Sequence, residues 1–172
     1  MDATSKFKDT LPTTPEKLLM LLDSLGITYV MHRHPPLRTV EDSKAHRDNM
    51  PGLHIKNLYL RDRKKQNFLF VAEEDRQIDM KSLNQKIGCD RLSFGSAERL
   101  FEMLGVRPGA VSPLTLINDP NYKVHLVLDI ALRTNEVIYA HPLVNDMTLG
   151  IKGPHLLQFF GYTGHKVQWL DL

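Results

Sequence analysis

The chain has 172 residues, of which 42% are hydrophobic and 24% charged, and its formal net charge is +2. This size and composition predict one globular domain with a single core, and the small positive charge is far below that of proteins that coat long nucleic acids. The single cysteine, Cys89, excludes an internal disulfide, and because neither a secretory signal nor a membrane-spanning apolar run is visible, we expect a cytoplasmic protein.

The first helix signal lies at Thr14, where a Thr-Pro pair provides a cap and a first helical residue, and leucines at helical spacing follow. We therefore expect residues 1–13 to be a flexible segment and residues 14–172 to form the domain. Caps, breakers and apolar periodicity predict the remaining elements. They are helices at 15–25, 40–49, 80–87, 97–104 and 154–160, and strands at 27–32, 55–62, 68–71, 91–94, 124–130, 136–140 and 164–169. A further short strand is expected between Thr148 and Pro154.

The strand at 55–62 should pair antiparallel with the strand at 68–71 across a charged turn, and this hairpin should lie at the centre of the sheet. We expect the strand at 136–140 to be the hairpin partner of the strand at 124–130. Hairpins interspersed with helices, without regular βαβ alternation, predict a single α+β domain. Its sheet should be mostly antiparallel or mixed, with helices on its flanks.

Lys56 is the unusual residue of the central strand. Strand alternation places it on the apolar face with Leu58 and Leu60, and a buried ammonium without an anionic partner is costly or shifts its pKa. Two interpretations are open from the residues alone. Its ammonium either reaches water at the strand end or faces an anionic ligand.

The loop at 105–113, which contains two prolines and two glycines, is a second candidate. Such a stiff loop can hold backbone N–H and C=O groups in fixed directions around an ester carbonyl, although an ordinary connector would look the same. His141, at a strand end before a proline, is similarly ambiguous.

A metal site of His32, His34 and His141 can be imagined, but no second shell is visible and we predict no metal. Walker, zinc-protease and serine-elbow motifs are absent from the sequence. The three histidines therefore give no independent support for a metal hydrolase.

The order and spacing of several short motifs along the chain indicate a family. They are Lys56-Asn57-Leu58 with Asp62, Arg91-Leu92-Ser93-Phe94, the segment 104–113, Ile117-Asn118-Asp119, His141-Pro142-Leu143, and Asn145 with Thr148. Over about residues 14–170 the set resembles the YbaK and prolyl-tRNA-synthetase-associated editing family, and it is most similar to the freestanding ProXp-ala branch. One departure is Lys152-Gly153-Pro154-His155, where an acidic helix start is expected.

The resemblance implies hydrolysis, in trans, of the ester that joins a mischarged alanine to proline's tRNA, without a metal or other cofactor. Lys56 would contact the phosphate and ribose at the tRNA end, the loop would hold the carbonyl and the attacking water, and His141 would shape the pocket wall. The implied catalytic residues are Lys56, Gly109, Pro113 and His141. The implied substrate-binding residues are Asn57, Ala110, Val111, Ser112 and Lys44, and the implied tRNA-binding residues are Arg61, Arg91 and Lys64.

The implied partner is the acceptor end of an aminoacylated proline tRNA, with prolyl-tRNA synthetase or an elongation factor as candidate protein partners and no membrane. Three alternatives stay open. The substrate could be a seryl, threonyl or cysteinyl ester, the chain could be a non-catalytic tRNA-binding module of the same fold, or it could be a metal hydrolase. Lys64 could equally be part of a solvated charged turn.

Overall fold

A mixed eight-stranded sheet organises the computed structural model, which describes residues 1–37, 39–47 and 49–172. The helices are α1 (Pro15–Ser24), α2 (Val40–Lys44), α3 (Met80–Ile87), α4 (Ala97–Leu104) and α5 (Gly153–Thr163). The strands are β1 (Val30–Arg33), β2 (Leu53–Asp62), β3 (Asn67–Glu73), β4 (Leu92–Phe94), β5 (Val124–Asp129), β6 (Val137–Ala140), β7 (Met147–Lys152) and β8 (Val167–Leu170). Their order is β1-β7-β6-β2-β3-β5-β8, with β4 beside β2. The predicted α+β fold is confirmed.

Local capping explains where the helices begin. The side chains of Thr14, Asp79 and Ser96 accept hydrogen bonds from the backbone N–H of Lys17 at 3.3 Å, Lys81 at 3.1 Å and Arg99 at 3.1 Å, respectively. These N-caps satisfy donors that a helix leaves unpaired. The predicted starts of α1, α3 and α4 are therefore confirmed. No helix among the described residues is long and apolar enough to cross a membrane.

The second helix is shorter than the predicted 40–49. It ends at Lys44, and Thr39 and Asp42 form a capping box at its start. None of its residues is buried, so no apolar face stabilises further turns, and its capping box is the local contact that holds it. Asp48, which the prediction placed in this helix, lies outside the described residues.

The central hairpin is formed as predicted. Strands β2 and β3 pair antiparallel from Ile55 opposite Glu73 to Arg61 opposite Asn67. The Asp62 carboxylate accepts the Gln66 backbone N–H at 2.8 Å and so closes the turn. The hairpin separates two apolar clusters, a large one that contains Tyr59 and a smaller one that contains Leu60.

The expected hairpin between 124–130 and 136–140 is wrong. β5 pairs parallel with both β3 and β8, whereas β6 pairs antiparallel with β7 and parallel with β2. An apolar strand with both faces covered suits this inner parallel position. The chain also turns away at the buried Asp129, whose carboxylate accepts the backbone N–H of Glu73 at 3.1 Å and of Ala131 at 3.0 Å.

Residues 1–13, which we expected to be a flexible segment, make contacts with the domain in this structure. Ala3 is buried and its carbonyl accepts the Asn145 backbone N–H at 2.8 Å. Ser5 begins a 3-10 helix and donates its backbone N–H to the Asp146 carboxylate at 3.1 Å. The segment is thereby tied to the turn before β7.

Candidate active site

A cleft opens where β2 lacks a strand partner on one edge. β2 pairs with β6 through Leu53 and His54, and with β4 from Leu60 to Asp62. In the described part of the chain no strand lies against this edge at residues 55–58. A cavity of about 380 Å³ occupies the gap. Five of the residues predicted from the sequence line it, namely Lys56, Asn57, Gly109, Val111 and His141.

A smaller cavity of about 80 Å³ adjoins the first. The two cavities have five lining residues in common, namely Leu37, Ser43, Ile55, Asn57 and His141. The smaller one is also lined by His34, His46 and Thr148. The site therefore consists of an open compartment beside a narrow, mainly polar inner compartment.

Lys56 lines the open compartment and lies opposite Ala72 in the hairpin. Its Nζ donates a hydrogen bond to the backbone carbonyl of Arg76. An ammonium has three N–H donors, and no carboxylate among the described residues forms an ion pair with this one. The residue therefore retains donors for an anionic ligand.

The loop before the 3-10 helix Pro113–Asn118 is held by its own backbone and by Ser112. Gly109 has φ +96°, a region that favours glycine, and the Ala110 N–H donates to the Arg107 carbonyl at 3.1 Å. The Ser112 hydroxyl donates to the His141 carbonyl at 2.7 Å. Ala110, Ser112 and Pro113 are buried and do not line the cavity, so they shape the loop while Gly109 and Val111 border the open space.

His141 is held in one tautomer. Its Nδ1 lies 2.8 Å from the Met147 carbonyl, which can only accept, so Nδ1 carries the proton. Burial lowers the pKa of His141 below its ordinary value, and the neighbouring His34 also lowers it. The side chain is therefore neutral at pH 7, and its Nε2 has no hydrogen-bond partner among the described residues.

The structure does not bring Lys44 into either cavity. Lys44 is exposed and its Nζ lies 3.4 Å from the Asp75 carboxylate, while the preceding Ser43 lines both compartments. A helix turns by about 100° per residue, so adjacent side chains point in different directions.

The three residues predicted to bind tRNA lie at the far end of the hairpin. Arg61 is five residues along β2 from Lys56, about 17 Å at strand geometry. Lys64 is exposed in the turn, and Arg91 borders a depression with Ser93. They line neither compartment of the site.

Glu74 also lines the open compartment, and sequence reasoning missed it. It directly follows β3, and its backbone N–H donates to the His54 carbonyl at 3.0 Å. The observed antiparallel register, extended by one residue pair beyond Ile55 and Glu73, places it beside the start of β2. The predicted strand ended at Val71 and did not reach it.

No group of three His, Cys, Asp or Glu side chains within the described ranges could hold a metal ion. Of the three histidines considered above, His34 has its Nε2 2.7 Å from the Thr148 hydroxyl, and its ring centroid lies 6.1 Å from that of His141. His32 packs edge-on against Tyr139, with ring centroids 6.0 Å apart.

Comparison with known proteins defines the class. The family model for the aminoacyl-tRNA editing domain matches residues 34–159. The chain is 35% identical over 159 residues to the prolyl-tRNA editing protein ProX of Acetoanaerobium sticklandii. This alignment covers 91% of this chain and 96% of that protein. It is also 35% identical over 149 residues to prolyl-tRNA synthetase associated domain-containing protein 1 of Mus musculus, covering 84% of this chain and 88% of the relative.

The fold agrees with these similarities. A solved structure proposed to be a trans-editing enzyme for prolyl-tRNA synthetase superimposes with a TM-score of 0.66 at 19% identity, over 93% of this chain and 98% of that one. The chain therefore belongs to the aminoacyl-tRNA editing domain family. The resemblance seen in the motifs is confirmed, and the chain is an enzyme of the deacylase type.

Proposed function

We propose that this protein is a cytoplasmic enzyme that hydrolyses alanyl-tRNA of proline in trans. The observation that carries the proposal is the convergence of Lys56, Asn57, Gly109 and His141, from three separate parts of the chain, on one cavity beside a narrow inner compartment. The names of the relatives support the link to prolyl-tRNA editing.

Each part of the site has a chemical task in this proposal. The Lys56 ammonium would bind the phosphate and ribose of the terminal nucleotide, because charge-assisted hydrogen bonds suit such a ligand. The backbone around Gly109 would hold the ester carbonyl and the attacking water. Neutral His141 would orient the acyl group without adding charge to the pocket.

The inner compartment supports selection by size. A synthetase site built for proline cannot strongly reject a smaller amino acid by binding alone, so a second site that admits only small side chains removes the error. At about 80 Å³ it is much smaller than the open compartment of about 380 Å³, which supports a preference for a small side chain. We place alanine in this compartment for that reason.

A second substrate is favoured by one specific observation. Ser43, His34 and Thr148 border the inner compartment and could form a hydrogen bond with a hydroxyl group. A seryl ester is therefore the main competitor of the alanyl ester. A cysteinyl ester would enter the same compartment, and a threonyl ester, whose side chain is about as large as the proline ring, tests the size limit.

The experiment compares the wild type with Lys56→Ala on a panel of tRNAs charged with alanine, serine, cysteine, threonine or proline. We expect alanyl-tRNA of proline to lead the panel, and Lys56→Ala to lower kcat/KM by about 100-fold or more. The control is Lys152→Ala, which removes an exposed lysine that lines neither compartment. Undiminished turnover by Lys56→Ala would refute the mechanism, and a different leading ester would reassign the substrate.

Protein partners are a separate part of the proposal. Prolyl-tRNA synthetase or an elongation factor would deliver or receive the tRNA. Co-purification with and without tRNA would test either association, and a complex that forms only with tRNA would indicate a shared ligand rather than direct docking.

A further inference from the structure

Two acceptor atoms at the open compartment are buried without a partner. Glu74 Oε2 and Asn57 Oδ1 accept no hydrogen bond from any described residue, and solvent does not reach either atom. Both residues line the compartment. Only 9% of Glu74 is exposed. A buried acceptor without a donor is unfavourable, so Asn57 Oδ1 points to a donor that arrives with a ligand. Glu74 Oε2 has two possible donors, a ligand and the buried, unpartnered Nε of Arg47.

The surroundings hold Glu74 in place. Its second carboxylate oxygen, Oε1, forms an ion pair with Arg47 Nη2, and its backbone N–H bonds to the His54 carbonyl at 3.0 Å. The terminal torsions of carboxylate and amide side chains are soft. Contact with a ligand in the compartment therefore requires a rotation about these torsions, which for Glu74 must keep the Oε1 contact with Arg47.

The charges of the compartment are separated. Lys56 Nζ donates to the Arg76 carbonyl and forms no ion pair with Glu74. The compartment therefore has a cationic group at one side and, at another, a carboxylate that pairs with Arg47 through Oε1 and keeps Oε2 as an unpartnered acceptor. A ligand that carries an anionic and a cationic group would match both.

We propose that Glu74 and Asn57 form a subsite for the α-ammonium group of the aminoacyl ester. This inference rests on the proposed function, because the ester supplies an anionic nucleotide end for Lys56 and an ammonium for the two acceptors. Two oxygens that only accept suit an ammonium, which has several N–H donors and no acceptor. The substrate class is thereby narrowed to esters with a free α-ammonium group, and esters with a blocked or missing amine are poor substrates.

The test compares alanyl-tRNA with lactyl-tRNA, in which a hydroxyl replaces the ammonium group at nearly the same size. Each enzymatic kcat/KM is divided by the spontaneous hydrolysis rate of the same ester, which removes the intrinsic difference in reactivity. We expect the wild type to prefer the alanyl ester at least tenfold on this scale. Glu74→Gln should bring the ratio of the normalised alanyl to lactyl kcat/KM values close to one, while kcat/KM for the lactyl ester changes less than twofold.

The matched control is Asp75→Asn, which neutralises the adjacent, exposed carboxylate that pairs with Lys44 and does not line the compartment. It should keep the wild-type preference. Equal losses on both esters in Glu74→Gln would mean that the residue only supports the fold through Arg47, and would overturn the proposal.

A wild type without a preference for the ammonium ester would overturn the proposal without any variant, so the test does not depend on the folding of Glu74→Gln. If alanyl-tRNA is not the substrate, the same comparison is made with the amino and hydroxy esters of the acid that leads the panel. Failure of the proposed substrate is thus distinguished from failure of the ammonium subsite.

Discussion

Gly109→Ala tests whether the backbone of the loop beside the cavity is held in the conformation that the structure shows. Gly109 has φ +96°, and a Cβ at this position would lie 3.2 Å from Asn145 Nδ2. The left-handed region costs a residue with a Cβ about 1–2 kcal/mol. The contact adds to this, because Asn145 Nδ2 donates to the Leu37 carbonyl at 3.3 Å and cannot shift freely.

We therefore expect Gly109→Ala to lower the free energy of unfolding by about 1–3 kcal/mol, which corresponds to about 2–4 °C in Tm for each kcal/mol. The deacylation rate should fall even under conditions where the variant is fully folded, since the peptide at Gly109 borders the cavity. Thermal unfolding and single-turnover deacylation at a temperature where both proteins are fully folded would measure the two effects separately.

Gly161→Ala is the matched control. Gly161 lies in α5 and a Cβ there meets nothing within 4 Å. Alanine in this helix should stabilise the protein by about 0.5–1 kcal/mol and leave activity unchanged. If Gly109→Ala behaves like Gly161→Ala in both assays, the loop is not constrained as described and the reasoning is refuted.

Two further predictions concern buried polar groups. His141→Asn should flatten the pH dependence of stability. Burial lowers the pKa of His141 in the folded wild type, so below about pH 6.5 the unfolded chain binds this proton more readily than the folded one. The free energy of unfolding of the wild type therefore falls by up to about 1.4 kcal/mol per pH unit as the pH is lowered, and the variant lacks this contribution. Denaturant titrations between pH 7 and pH 5 would measure the difference between the two proteins. Asp119→Ala should destabilise the fold by about 3 kcal/mol, because the buried carboxylate accepts the backbone N–H groups of Lys123 and Val124 and the Nε2 of His165, each at 2.9 Å.

A specific result would contradict each of the His141→Asn and Asp119→Ala predictions. Parallel pH profiles for wild type and His141→Asn would mean that the histidine titrates normally in the fold. An Asp119→Ala protein that unfolds at the same denaturant concentration as the wild type would show that other groups take over its hydrogen bonds. An exposed carboxylate such as Asp75 provides the control for a general effect of charge removal.

Short-range patterns in the sequence determined much of the fold. Caps such as Thr14, Asp79 and Ser96 bond to N–H groups two or three residues away, so their effect is local and can be read directly. The β2 and β3 hairpin follows from alternation on both sides of a short charged turn. Lys56 could be singled out because a charged residue on an apolar face is unusual in any arrangement of strands.

Tertiary structure decided the remainder, because those features depend on contacts between distant parts of the chain. The parallel pairing of β5 with β3 and β8 has no local signal. The same is true of the packing of Ala3 against Asn145 and of the direction of Lys44.

The sequence by itself thus determined the family and singled out five residues that line the open compartment, since these belong to motifs with fixed spacing. Only the folded chain showed that Glu74 borders the same cavity as Lys56 with an unpartnered carboxylate oxygen. Hydrogen-bond satisfaction depends on every neighbour of an atom in three dimensions. The charge pattern that we assign to ammonium recognition could therefore be found only in the structure.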